Sequence, residues 1–197
     1  MIWIIDNGHG GIKDGEYLTK SPHKRSPAYP DGFILYEGQW NREVTKMIFE
    51  KAKILDIDAI NLVPEIDDIS LDERIRRVNK IKNENIGKDL FLLSIHMNGT
   101  DEYFTTEKSG LTTFYYRYND ARKYAYVFQD YVGDIIGNRG IFEKAFKMLD
   151  QVNVPALLLE CGFMNNKKDV EYLRTEHGKD LLTDAIIYSM REVNKII

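Results

Sequence analysis

The sequence is poor in the residues that most often build metal sites and cross-links, with one cysteine and four histidines among its 197 residues. The single cysteine, Cys161, excludes an internal disulfide and any zinc site with several thiolate ligands. A bound metal must therefore take its ligands from histidine, aspartate and glutamate. We expect Cys161 itself to be a small buried residue, because no neighbouring base or helix N-terminus predicts an activated thiolate.

The sequence also lacks a basic excess and any long apolar segment. The formal net charge is -4 at pH 7, so a nucleic-acid partner is not expected. No apolar run approaches the length that crosses a bilayer, and the first residues lack the charged, apolar and small-residue regions of a signal peptide. We therefore expect no membrane insertion, and synthesis in the cytoplasm without a visible leader.

The pattern of apolar residues indicates one α/β domain. Hydrophobic residues make up 43% of the chain, which is enough for a substantial core. Short apolar runs typical of buried strands alternate with segments in which apolar residues recur at helical spacing. Helices are predicted over residues 37–55, 71–81, 121–136 and 177–193, with a short one after Asn166, and strands over 59–63 and 110–116.

Two stretches give no clear pattern. Residues 12–35 are polar, interrupted by prolines and without periodicity, so we expect an irregular insert that is functional or mobile. Residues 137–151 are ambiguous between loop and strand, with a short strand predicted over residues 146–149. The histidines His23 and His177 fall in polar surroundings, and we do not expect either to be a ligand.

Three apolar strands each lead to an ionisable residue. The run over residues 2–5 precedes His9, the run over 89–95 ends at His96, and the run over 154–159 ends at Glu160. Open α/β sheets bind ligands at the carboxyl ends of their strands, so these side chains are predicted to share one cleft. A Gly-rich phosphate loop is the competing interpretation of residues 8–11, but neither phosphate-binding spacing is present. A structural role stays open for each histidine taken singly.

A fourth ionisable residue, Glu37, stands at the predicted start of a helix. Stabilisation of its carboxylate by the helix dipole and a role in a site are equally compatible with that position. Two imidazoles and a carboxylate are a common ligand set for catalytic zinc, which keeps its fourth position for water. A second carboxylate would then move the water's proton. The set His9, Glu37, His96 and Glu160 therefore predicts metal-assisted hydrolysis, without identifying the bond.

Four stretches, in order, resemble the signatures of the zinc-dependent N-acetylmuramoyl-L-alanine amidases, which are found among bacterial sporulation and division enzymes and phage endolysins. They are residues 6–11 (DNGHGG), Glu37 with Asn41, residues 94–98 (SIHMN) and residues 155–166 (PALLLECGFMNN). The likeness covers nearly the whole chain, and it includes Arg74 and Asn79 before the His96 strand and residues 110–115 after it.

The resemblance implies roles for the four ionisable residues. His9, Glu37 and His96 would hold one zinc ion per chain, and Glu160 would be the general base and acid for a zinc-bound water. It also implies a single three-layer α/β domain over residues 1–197, with a mostly parallel sheet flanked by helices. The substrate would be peptidoglycan or a muropeptide, cut between the lactyl group of N-acetylmuramic acid and the L-alanine of the stem peptide.

The sequence departs from the family pattern in two places. Asn7 stands where the family usually has proline, which leaves His9 in position and is expected to alter only the turn. Residues 12–35 form a longer and more basic segment than expected, and we predict that they influence substrate choice. Without a visible leader, a phage lysin released through a holin fits better than a secreted division enzyme.

Two alternatives stay open. A zinc peptidase that cuts within the stem peptide would use the same metal chemistry, because the cleft and not the metal selects the bond. A peptidoglycan-binding module without catalysis is the other alternative. No feature of the sequence indicates an oligomeric state.

Overall fold

A six-stranded sheet lies at the centre of the protein in the computed structural model, which describes residues 1–117 and 121–196. Its strands are β1 (Ile2–Asn7), β4 (Ala59–Asn61), β5 (Leu90–Asn98), β6 (Leu111–Tyr115), β7 (Asn138–Glu143) and β8 (Ala156–Phe163). Across this sheet they follow the order β4-β1-β5-β8-β6-β7, and of the described pairings between these six strands only β6–β8 is antiparallel. The predicted α/β domain with a mostly parallel sheet is confirmed.

Helices cover both faces of this sheet. Successive residues of a strand point to opposite faces, so the apolar strands present buried side chains on both. On one face, Phe91, Leu93 and Ile95 of β5 belong to the larger apolar cluster. This cluster includes residues of α1 (Glu37–Ile54), α3 (Arg122–Ile136), α5 (Lys167–Leu173) and α6 (Glu176–Ile196). On the other face, Leu90 and Leu92 join a smaller cluster with residues of α2 (Leu71–Glu84) and α4 (Lys147–Asp150).

Local signals account for where several helices begin. The Ser70 side chain accepts a hydrogen bond from the backbone N–H of Glu73 and so caps the N-terminus of α2. The Asn166 side chain accepts from the N–H of Asp169 in the same way and starts α5. Among the helices of the described residues, none has the length and apolar character that spanning a bilayer requires.

The short strand predicted over residues 146–149 is wrong, because the chain forms α4 there. The strand in this region lies earlier, at β7, which pairs in parallel with β6 at the edge of the sheet. Most of its residues are exposed, so no apolar alternation marks it in the sequence. Its existence depends on pairing with a distant strand, which local patterns do not contain.

Residues 12–35, predicted to be irregular, contain small pieces of regular structure. Two-residue strands β2 (Ile12–Lys13) and β3 (Glu16–Tyr17) form an antiparallel hairpin, and a 3-10 helix covers Pro22–Lys24. Most of the segment still has neither helix nor strand. It is tied to the domain at an isolated bridge between Arg25 and Tyr36, directly before α1.

The strand alternation also carries polar residues to one place. Asp6 and Ser94 occupy paired positions of β1 and β5, and His96 and Glu160 occupy paired positions of β5 and β8. By alternation, all four side chains point to the face that carries α2, beyond the apolar residues near the start of the strands. Glu160 differs from its predicted place at a strand end, because β8 continues to Phe163.

Candidate metal centre

Three of the four predicted site residues come together in one cluster. The ligand atoms of His9, Glu37 and His96 all lie within 4.8 Å of one another. Glu37 is at the centre of the cluster, with its Oε1 oxygen 3.3 Å from Nε2 of His9 and 2.9 Å from Nδ1 of His96. The three residues belong to the loop after β1, the first turn of α1 and strand β5, so only the fold brings them together.

Two glycines allow this close approach. A Cβ atom at Gly8 would lie 2.1 Å from Cε1 of His96, and one at Gly38 would lie 2.0 Å from the carbonyl oxygen of Gly10. Any side chain at these positions would therefore push the loop away from β5 or from α1. His9 itself has a φ of 65°, in the left-handed region that a non-glycine residue rarely occupies.

The carbonyl groups of this loop are held by side chains from two helices. Arg42 of α1 donates to the carbonyl oxygen of His9 over 2.7 Å, and Asn41 donates to that of Gly8 over 3.0 Å. Arg74 of α2 donates to the carbonyl oxygens of Asn7 and His9 over 2.7 and 3.2 Å. Fixed hydrogen bonds of this kind keep a strained loop in one conformation.

A buried ion pair lies behind the same loop. The Arg74 guanidinium pairs with the carboxylate of Asp6, and both side chains are almost fully buried. The Ser94 hydroxyl donates to the other oxygen of Asp6 over 2.6 Å. Arg74 is part of the family resemblance, but the sequence did not predict its contact with Asp6. Its position next to the apolar residues of α2 is the signal in the sequence that this arginine is buried.

The surroundings favour the metal-binding forms of two of the three ligands, the carboxylate of Glu37 and the neutral imidazole of His9. Burial alone would raise the pKa of Glu37, but the adjacent imidazoles of His9 and His96 outweigh it and hold that pKa well below its usual range. Burial lowers the pKa of His9. Burial would also lower the pKa of His96, but its hydrogen bond to Glu37 and the nearby carboxylates raise it.

The donor set suits a zinc ion. Nε2 of His9 and Oε2 of Glu37 are buried without a hydrogen-bond partner, which is costly for polar atoms unless another group binds them. The Lys24 ammonium lies 3.3 Å from that Glu37 oxygen as an ion pair and does not meet hydrogen-bond geometry. Two imidazole nitrogens and a carboxylate oxygen are ligands that zinc takes in hydrolytic sites.

The fourth predicted residue, Glu160, lies beside the cluster. Its backbone pairs with that of His96 across β5 and β8, and its Oε2 oxygen is buried without a hydrogen-bond partner. Burial raises the pKa of Glu160 to about 7, against the opposing effect of His96. A carboxyl group with this pKa can both accept and donate a proton near neutral pH.

Glu160 also lines a cavity of about 640 Å³. One wall is formed by residues 22–28 of the insert, and another by residues 97–103, which are the end of β5 and the loop after it. The residues that we did not expect to be ligands lie apart from the cluster: His23 is exposed on the insert wall and His177 is exposed in the first turn of α6. Cys161 is fully buried, and burial raises the pKa of its thiol, so it is not an activated nucleophile.

Comparison with known proteins adds independent findings. Residues 4–192 match a protein family described as N-acetylmuramoyl-L-alanine amidase. The probable cell wall amidase LytH of Staphylococcus saprophyticus is 26% identical over 192 residues, an alignment covering 95% of this chain and 56% of that relative. The uncharacterized protein YqiI of Bacillus subtilis is also 26% identical, with 93% of this chain and 80% of YqiI covered. The chain thus spans little more than half the length of the LytH relative.

Solved structures share the fold at lower sequence identity. The N-acetylmuramoyl-L-alanine amidase of Clostridium difficile 630 matches with a TM-score of 0.80 at 24% identity, covering 98% of this chain and 96% of that one. The amidase AmiC2 of Nostoc punctiforme matches with a TM-score of 0.79 at 20% identity, covering 99% and 97%. At these identities the matches establish the shared three-dimensional fold.

Proposed function

The chain belongs to the N-acetylmuramoyl-L-alanine amidase family, and from this premise we propose that it is a zinc-dependent peptidoglycan amidase. It would hydrolyse the amide between the lactyl group of N-acetylmuramic acid and the L-alanine of the stem peptide. His9, Glu37 and His96 would hold one zinc ion, and Glu160 would be the general base and acid. Residues 1–197 would then form one zinc amidase catalytic domain that acts at the cell wall.

One observation carries this proposal. A buried cluster of three metal-binding donor atoms, within 4.8 Å of one another, lies next to a carboxylate that has a buried oxygen without a partner. A structural zinc site is closed by four protein ligands, whereas a catalytic site keeps a position open. A set of three ligands beside an unpaired carboxylate therefore favours hydrolysis over a purely structural role.

The chain's own residues would divide the reaction between them. A bound zinc supplies Lewis acidity, which polarises the scissile carbonyl and lowers the pKa of water. Glu160 accepts a proton from the attacking water and then donates it to the L-alanine nitrogen as the C–N bond breaks. The pKa of about 7 for Glu160 suits both transfers, because neither protonation state is strongly disfavoured near neutral pH.

The direct test is a digest of purified peptidoglycan by the zinc-loaded protein, scoring new N-terminal L-alanine and new sugar reducing ends in the same samples. The expected result is new L-alanine termini without new reducing ends, lost with a chelator and restored by zinc. New amino termini on other residues would favour a peptidase that cuts within the stem peptide. Sedimentation with peptidoglycan without any product would favour a binding module.

The role of Glu160 has its own test. Glu160→Gln keeps the size of the side chain but cannot accept the proton, so kcat should fall about 10²–10⁴-fold. Glu107→Gln is the matched control, because Glu107 is an exposed carboxylate outside the cavity. Full activity in a folded Glu160→Gln protein would contradict the assignment. The expectation of release through a phage holin stays a prediction.

A further inference from the structure

Two cavities of different size lie near the metal centre, and we propose that they bind different parts of the substrate. The cavity beside Glu160 would hold the stem peptide, and Arg25 in its wall would pair with a carboxylate of that peptide. Arg25 would thus determine specificity for an acidic stem peptide. This inference rests on the proposed function and deepens it by assigning the peptide side of the site.

Of two cavities near the metal centre, one borders Glu160 and the other borders the ligand cluster itself. The one of about 640 Å³ is lined by Glu160, by residues 22–28 and by residues 97–103. The other, of about 300 Å³, is lined by His9, His96 and Arg74 together with residues 68–71. A substrate whose scissile bond lies at the metal would extend into both.

The position of Glu160 determines which part of the substrate occupies which cavity. When the amide breaks, the leaving nitrogen belongs to the L-alanine of the stem peptide, and it needs a proton from a group within hydrogen-bond reach. Glu160 lines the larger cavity and does not line the smaller one. The peptide side of the bond must therefore lie in the larger cavity, and the lactyl and sugar side must face the smaller one.

The walls of the larger cavity carry opposite charges. Lys24 and Arg25 line it from the insert, whereas Asp101 and Glu102 line it from the loop after β5. A carboxylate in this cavity is attracted to the wall with Lys24 and Arg25 and repelled by the wall with Asp101 and Glu102. Lys24 already pairs with Glu37 over 3.3 Å, and Glu102 pairs with Lys108 over 3.6 Å.

Arg25 is the cation on the insert wall that is left for the substrate. Its side chain is exposed, and within the described residues no carboxylate lies within ion-pair distance of its guanidinium. Its backbone is nevertheless fixed by the bridge to Tyr36, next to the start of α1. A guanidinium on an anchored backbone forms paired hydrogen bonds with a carboxylate, which gives both affinity and orientation.

The test compares two substrates that differ only in charge: N-acetylmuramoyl-L-alanyl-D-glutamate and its diamide, in which both glutamate carboxyl groups are amides. The wild-type protein should cleave the diacid with a kcat/KM about tenfold higher, with the difference in KM, because the contact is made equally in ground and transition states. Arg25→Gln should lose this preference. Lys20→Gln, which removes an exposed charge of the same insert outside the cavity, should keep it.

The outcomes separate this inference from the proposed function. Cleavage of both substrates with no preference in the wild type, or with the preference retained in Arg25→Gln, would overturn the role of Arg25 and leave the amidase intact. Cleavage of whole peptidoglycan with none of either short substrate would overturn the assignment of the peptide cavity, because the short substrates retain that contact. Failure to produce a new N-terminal L-alanine from any of the three would overturn the proposed function as well.

Discussion

The buried ion pair behind the metal-binding loop leads to a stability prediction of large size. Asp6 and Arg74 are 1% and 2% exposed. Asp6→Asn keeps the size of the side chain but removes its charge, so the Arg74 guanidinium stays buried without a counter-ion. Removing one partner of a buried pair costs about 3–5 kcal/mol, a large part of the roughly 5–15 kcal/mol by which most domains are stable.

The melting temperature is the simplest measurement of this effect. For a chain of this size each kcal/mol lowers Tm by about 2–4 °C, so Asp6→Asn should melt roughly 6–20 °C below wild type. Asp72→Asn is the matched control, since it removes the exposed partner of Lys147 at 3.0 Å and should cost at most about 1 kcal/mol. Equal, small losses in the two variants would refute the reasoning that the buried pair is required for stability.

The same pair predicts a pH dependence. Burial alone would raise the pKa of Asp6, but the charge of Arg74, with His96 and the Ser94 hydrogen bond, holds it below its usual value of 3.8. A carboxyl group with a lowered folded-state pKa stabilises the fold above the unfolded value and loses that stabilisation as pH falls through the folded value. The Tm difference between wild type and Asp6→Asn should therefore be constant near neutral pH and shrink below about pH 4. A difference that widens in acid would contradict this sign.

Three further predictions concern the metal centre and its surroundings. Gly8→Ala places a Cβ 2.1 Å from Cε1 of His96, so the ring must move and zinc affinity should fall about 10–100-fold in a chelator competition assay; Gly99→Ala, with its nearest atom 3.5 Å away, should bind normally. Removal of zinc should lower Tm. The free energy of unfolding should fall by about 2.7 kcal/mol if free zinc had been at 100 times its Kd. An unchanged Tm after verified removal would count against the ligand assignment. The thiol of Cys161 should react with a thiol reagent only when the protein unfolds, because it is buried and its pKa is raised; fast reaction in the native state would show that it is accessible.

The strands that carry the candidate site were predictable because each is a continuous apolar run. In β1, β5 and β8 nearly every residue is buried, so the sequence marks them without help from alternation. The carboxyl end of a parallel strand is also where ligands are bound, so the sequence predicts His9 and His96 as site residues. The start of α1 at Glu37 followed from the helical spacing of apolar residues after it.

The edge of the sheet was not predictable in the same way. Strand β7 is mostly exposed and depends on its pairing with β6, so its sequence has neither an apolar run nor alternation. Residues 146–149 were mistaken for a strand because two apolar residues next to each other, Met148 and Leu149, fit either element. Both are buried against β8 and α2 from a single turn of helix.

The buried strands that carry the site and the start of α1 were thus determined locally, since hydrophobic patterning acts over a few positions. The ligand distances, the Asp6–Arg74 pair and the position of Lys24 beside Glu37 were decided by the tertiary structure. Each of them joins residues that are 13 to 87 positions apart. Such contacts depend on how helices and loops pack onto the sheet, and that packing is settled only when the whole chain folds.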